Sequence, residues 1–181
     1  MQHLEERIDQ LKTQLEEIQG RQPENKLAMV VFSGDLDKVL AALVIATGAV
    51  AMGMDAVLFF TFWGTPVLRD KNKSIGGKDV MGNMFGAMLP KGANDVQLSK
   101  MKMAGLGTAM MKSLMKKKNV ASLEEMFSMA EELCVRIVIC EMSMDLMGFK
   151  REEMIDYKHL EFGGVAKFLE EAGTSKVQLF I

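Results

Sequence analysis

Apolar positions follow two different periods along this chain. Near the start, Leu4, Ile8, Leu11, Leu15 and Ile18 recur at alternating spacings of four and three. This is an a/d heptad seam, flanked by Glu5, Glu6, Arg7, Lys12, Glu16 and Glu17. Gly20 and Pro23 end it. A helix this short is marginal alone, so the seam must be covered either by its own domain or by a second copy. Residues 1–22 therefore read as an N-terminal amphipathic helix, a possible coiled coil that favours a homo-oligomer.

After Pro23 the pattern becomes strand and helix. Leu27–Phe32 reads as a first strand, Ser33-Gly34-Asp35 as a turn with Asp35 as N-cap, and Leu36 to about Met52 as an alanine-rich helix. Gly53 punctuates, and Ala56–Phe60 reads as a second strand. The unit is βαβ, which demands parallel strands and a right-handed crossover. Farther on, Ser122 and Glu125 have the spacing of a capping box, opening a helix over Leu123–Leu133. Val135–Cys140 is a short β-branched run, as expected of a strand buried on both faces. Gly163 and Gly164 open a helix Val165–Ala172, Gly173 stops it, and Val177–Ile181 reads as a last strand. Residues 26–181 thus form one α/β domain.

The middle is less regular. Asn72-Lys73-Ser74-Ile75-Gly76-Gly77 is a loop by its turn residues, and Met81–Leu89 is rich in glycine and methionine. Met101, Met103, Leu106, Met110, Met111, Leu114 and Met115 recur at roughly helical spacing beside Lys112, Lys116, Lys117 and Lys118. Such a helix either covers the sheet with a solvated lysine tail or contacts a partner or a membrane surface. The role of segment 81–118 stays open at this level.

Composition narrows the classes. The chain has 181 residues, 22 basic and 24 acidic, for a formal charge of −2. That balance carries no nucleic-acid footprint. Two cysteines and no secretion signal point to a reducing cytoplasm. The uncharged stretch Val39–Met54 is shorter than the roughly 20 residues a membrane span needs, so a buried crossover helix is the expected reading. Eighteen methionines, against one tryptophan and one tyrosine, are the main bias; methionine suits irregular cores and adaptable surfaces alike.

Most chemistries are set aside by what is missing. His3 and His159 have no partner at metal-ligand spacing, and there is no Cys-x-x-Cys, so neither a metal nor a cofactor is expected. Gly105-Leu106-Gly107 lacks the third glycine and the preceding strand of a dinucleotide fingerprint, and no Walker loop or nucleophile elbow occurs. Cys140 remains. It ends a predicted strand, where open α/β sheets place their ligands. Ser143 is expected to N-cap a turn of helix over Met144–Met147, with Gly148 as its C-cap. A thiol facing such a helix start is set for thiolate chemistry; a buried, inert cysteine fits the local pattern equally well. Trp63 falls just beyond the second strand, on the same sheet edge, either as a wall over the thiol or as rim packing. Cys134, at the helix–strand junction, is expected to be buried and structural.

The run Ile139-Cys140-Glu141-Met142-Ser143-Met144-Asp145-Leu146-Met147-Gly148 resembles the cysteine loop of the DsrE/DsrF-like sulfur-relay family, and in particular its larger branch with a Cys-x-Met-Ser-Met-Asp loop. Phe60-Thr61-Phe62-Trp63-Gly64 and Glu161-Phe162-Gly163-Gly164-Val165-Ala166 resemble segments of the same branch. The resemblance spans about Ala28 to Ile181. It implies a three-layer α/β sandwich with a mostly parallel sheet of about five strands, assembled into homo-oligomers. It implies a cysteine, here Cys140, that accepts sulfane sulfur as a persulfide and hands it to another protein, often a small TusA-like carrier. Glu141, Met142, Ser143, Met144, Asp145, Trp63, Ser33 and Gly34 are the supporting candidates. A second cysteine in the first half is absent, which leaves a two-cysteine relay unsupported. The competing reading is a non-enzymatic oligomeric adaptor that binds through its Met/Lys-rich surface and keeps Cys140 inert.

Overall fold

The computed structural model describes residues 7–14, 22–73, 80–101 and 103–181. Residues 7–14 form helix α1, with Ile8 and Leu11 exposed. Leu4, Leu15 and Ile18 of the seam, Gly20, and Ser74 to Gly77 of the expected loop lie outside the described residues.

From Glu24 the chain alternates strand and helix. In order come β1 (Glu24–Val31), α2 (Leu36–Ala51), β2 (Asp55–Phe60), a 3-10 turn (Phe62–Leu68), α3 (Val80–Met88), α4 (Leu106–Lys117), α5 (Leu123–Glu132), β3 (Arg136–Cys140), α6 (Glu141–Met147), a second 3-10 turn (Arg151–Glu153), β4 (Leu160–Gly163), α7 (Val165–Thr174) and β5 (Ser175–Phe180). The sheet order is β4-β3-β2-β1-β5, and every pairing is parallel.

Handedness explains the layers. While the chain steps from β1 through β4, right-handed crossovers put the intervening helices on one face. The return to β5, beside β1, reverses the step and puts α7 on the other. The side chains obey this division, because successive strand residues point to opposite faces. Leu27, Met29, Val31, Leu58, Phe60, Ile137 and Ile139 join the large core with α2, α5 and α6. Ala28, Val57, Phe59, Val138 and Cys140 form a smaller cluster with Phe168 and Ala172 of α7. Strands buried on both faces read as unbroken apolar runs, as the sequence has them.

Helix α7 is pinned at its far end by charge. Glu171 accepts a two-pronged bond from Arg136, at 2.6 and 2.7 Å, and a third from Lys26 at 2.9 Å. The Arg136 fork, and after it Lys26, hold the Glu171 carboxyl down at about 2. The opposite end of α7 is thereby fixed at the carboxyl edge of the sheet.

Several local expectations hold. Ser122 and Glu125 form the capping box in full. Gly148 caps α6 in the left-handed region, at φ 66°. Three differ. Strand β4 has no sequence counterpart: only four residues long, it is recruited by its place beside β3. Residues 101–118 form a shorter helix than their spacing suggests, Leu106–Lys117, preceded by left-handed backbone at Met101, Met103 and Ala104. Leu106, Met110 and Leu114 of α4 stay exposed, so the apolar stripe of that helix does not serve as a cover for the sheet. Cys134 is exposed, at φ 59°; the chain turns sharply between α5 and β3, which throws the side chain outward. Among the described residues, no helix is long and apolar enough to cross a membrane.

Candidate functional site

Cys140 is the last residue of β3 and the N-cap of α6. Its side chain is buried on the α7 face. Across the strand pairing it lies level with Gly163, the last residue of β4. One residue later Gly164 caps α7. Two helices therefore begin next to this cysteine, α6 from its own backbone and α7 from the neighbouring strand. The sequence points only to the first. The signal for the second is the Gly163-Gly164 pair, since a glycine at a strand end often marks a close approach.

That approach is tight. A Cβ added to Gly163 would lie 2.8 Å from Cδ and 3.3 Å from Cβ of Lys167, and 3.5 Å from Cγ1 of Val138. The Lys167 stem thus lies over Gly163, the strand partner of Cys140, on the α7 face. Its ammonium pairs with Glu161, and Glu161 also lies 3.9 Å from Arg136. Glu141, whose carboxylate would oppose a sulfur anion, pairs instead with Arg151, and the Arg151 guanidinium sits 4.7 Å above the Phe162 ring. Lys167, Glu161 and Arg151 have no marker in the local sequence around Cys140.

Ser143 does not cap the helix. α6 begins three residues earlier than expected, so Ser143 lies inside it, fully buried. Its hydroxyl lies 3.0 Å from the Thr61 hydroxyl and accepts from the Phe62 N–H at 2.9 Å. The bond ties α6 to the end of β2 and so sets where the cysteine loop sits. Met144 is buried in the large core. Met142 and Asp145 face outward, Met142 being 56 % exposed. Of the two methionines among the supporting candidates, only Met142 is at the surface.

Trp63, half-exposed, turns elsewhere. With Ser33, Gly34, Asp35, Pro66 and Met88 it lines a cleft of about 480 Å³ between the ends of β1 and β2. A Cβ on Gly34 would come within 2.1 Å of the Trp63 carbonyl oxygen, so only glycine lets the two loops meet. Ser33, Gly34 and Trp63 are thus brought together, in a cleft whose lining does not include Cys140.

Cys134 and Cys140 lie at opposite ends of β3, more than about 15 Å apart at the usual rise of a strand. Disulfides need Cα atoms within about 7 Å, so these two cannot pair within one chain. The exposure of Cys134 and the burial of Cys140 set the order of alkylation. With iodoacetamide on the folded protein, Cys134 should be modified first and Cys140 slowly. Peptide mapping over time checks this, and faster labelling of Cys140 would mean that its burial is transient.

Among the described residues there is no cluster of His, Cys, Asp and Glu able to hold a metal ion.

The family described as DsrE/DsrF/DrsH-like matches residues 23–180. The uncharacterized protein YrkE of Bacillus subtilis is 42 % identical over 156 residues, covering 86 % of this chain and 96 % of that protein. The sulfur carrier protein DsrE2 of Allochromatium vinosum is 36 % identical over 163 residues, covering 87 % and 99 % respectively. The crystal structure of YchN from E. coli has the same fold, with a TM-score of 0.50 at 11 % identity over 86 % of this chain and 98 % of that one.

Proposed function

Because this chain belongs to the DsrE/DsrF/DrsH-like family, we propose that it works in a sulfur relay, carrying sulfane sulfur as a persulfide on Cys140. The observation that carries the reading is the placement of Cys140, at a strand's carboxyl end between the starts of two helices. Helix starts carry partial positive charge, which suits a sulfur anion. Glu141 is taken up by Arg151 and does not oppose it.

The chemistry is exchange without net oxidation. The Cys140 thiolate attacks the outer sulfur of a donor persulfide. The donor's S–S bond breaks, its inner sulfur leaves as thiolate, and Cys140 keeps the outer sulfur. An acceptor thiolate then attacks that sulfur, and the Cys140 thiolate leaves. With no second cysteine of the same chain in reach, the acceptor thiol comes from another molecule; a small TusA-like carrier has the right chemistry. Met142, Asp145 and the exposed Leu146 on α6 form the surface around which such a carrier would dock. We further propose a homo-oligomer, since Val165, Leu169 and Phe180 are exposed on the thinly covered α7 face and Ile8 and Leu11 on α1.

The test is transfer. Persulfide-loaded protein is freed of donor and mixed with a reduced carrier that has a single cysteine. The carrier should gain about 32 Da while this chain loses the same mass. Loaded protein that keeps its sulfur in the presence of excess carrier thiol would argue against a relay role.

A further inference from the structure

We propose that Lys167 governs both access and charge at the Cys140 sulfur: its stem screens the thiol, and its ammonium moves from Glu161 to the sulfur anion during exchange. The inference rests on Cys140 being the reactive site and assigns a positioning residue to it.

The geometry starts from the register. Cys140 pairs with Gly163 and Val138 pairs with Glu161, so all four lie on adjacent strands. Cys140 and Val138 belong to the cluster on the α7 face. The vacant Cβ position of Gly163 points to that same face, because Val138 Cγ1 lies 3.5 Å from it. Lys167 Cδ lies 2.8 Å from that point. Neighbouring strands run about 4.8 Å apart, so the lysine stem lies about one strand spacing from the cysteine. Any larger residue at 163 would push it away.

The ammonium is two bonds beyond Cδ, close enough to turn to either of two partners. In the unloaded protein it holds Glu161. Glu161 has a second cation in Arg136, at 3.9 Å, so it is not left unpaired when Lys167 departs. The lysine is about one-third exposed and free to swing. Every step of the exchange has an anionic sulfur as attacker and leaving group, and a cation at that sulfur stabilises it. Of the other charged groups around the loop, Glu141 and Arg151 are paired with each other, and Asp145 and Lys150 are exposed to solvent. Lys167 is therefore the cation beside the sulfur that can be released to it.

Alkylation rates at Cys140 separate charge from access. The full chain carrying Cys134→Ser is treated at neutral pH with iodoacetamide, which is neutral, and iodoacetate, which is an anion. In Lys167→Met the stem is kept and the charge removed, and the iodoacetate-to-iodoacetamide rate ratio should fall about fivefold. Added salt should shrink that difference. Lys167→Arg should hold the ratio within about twofold, and Glu161→Gln should raise it. Lys167→Ala should speed iodoacetamide itself, because the screen is gone. An unchanged ratio in Lys167→Met and Glu161→Gln overturns the proposal; should the methionine variant fail to fold by circular dichroism, Glu161→Gln and Lys167→Arg decide it. A shifted ratio in a protein that never takes up sulfane sulfur would leave the lysine in place and remove the relay.

Discussion

Replacing Glu153 by alanine is expected to lower the free energy of unfolding by about 3 kcal/mol, the low end of the range for breaking a buried ion pair. Arg69 and Glu153 are both buried, and their side chains meet at 3.6 Å. The guanidinium also donates to the carbonyls of Gly86, Leu89 and Pro90 and lies 4.5 Å above the Phe149 ring. Burial lowers the affinity of Arg69 for its proton, and Glu153 is the main influence restoring it. Removing the carboxylate leaves a buried cation with the carbonyl dipoles, the Phe149 ring and the charge of Asp95, which is why the loss is large but not maximal. The pair also locks two segments together. Arg69 bridges Met154, the Ile155 N–H donates to the Leu68 carbonyl at 2.9 Å, and the Asp70 N–H donates to the Glu153 carbonyl at 2.8 Å. These segments leave the ends of β2 and α6, so the lock stands behind the cysteine loop. Chemical denaturation of the variant and the wild type measures the effect. The double variant Arg69→Met with Glu153→Leu should lose much less than Glu153→Ala, because no unpaired charge remains. A loss below about 1 kcal/mol in Glu153→Ala would class the pair with solvated surface bridges.

The sheet was legible because its strands obey one simple rule. Leu27 to Val31, Ala56 to Phe60 and Ile137 to Cys140 are buried on both faces, and a double-faced strand has to be apolar throughout. β4 escaped because its burial comes from pairing rather than composition: Leu160, Glu161 and Phe162 are only half-buried, and their pattern does not stand out from a loop. The position of Cys140 at a strand end was readable from the break in the apolar run. Its surroundings were not, since Gly163, more than twenty residues away, meets it only through strand pairing, and Lys167 comes in over that glycine from α7. Ser143 shows how a correct chemical signal can mislead. A hydroxyl followed by a short helix suits an N-cap, but here the Phe62 N–H and the Thr61 hydroxyl use it in the core. The assignment of Cys134 as buried failed for a comparable reason. Its left-handed backbone is a property of the turn, and no side-chain pattern announces it.

Changing Cys140 to serine is expected to abolish sulfur loading completely, the largest functional effect of any single substitution here. Serine is nearly the same size and keeps the N-cap position of α6, so the fold should survive; the sulfur nucleophile is lost, and a hydroxyl does not take up sulfane sulfur by exchange. Cys134→Ser sits at the other end of β3, on an exposed turn, and should leave loading intact. Whole-protein mass spectrometry after incubation with a sulfane-sulfur donor, with peptide mapping of the product, tests the central claim. The wild type and Cys134→Ser should gain about 32 Da at Cys140, and Cys140→Ser should gain none. A full gain in Cys140→Ser, mapped to Cys134, would contradict that claim.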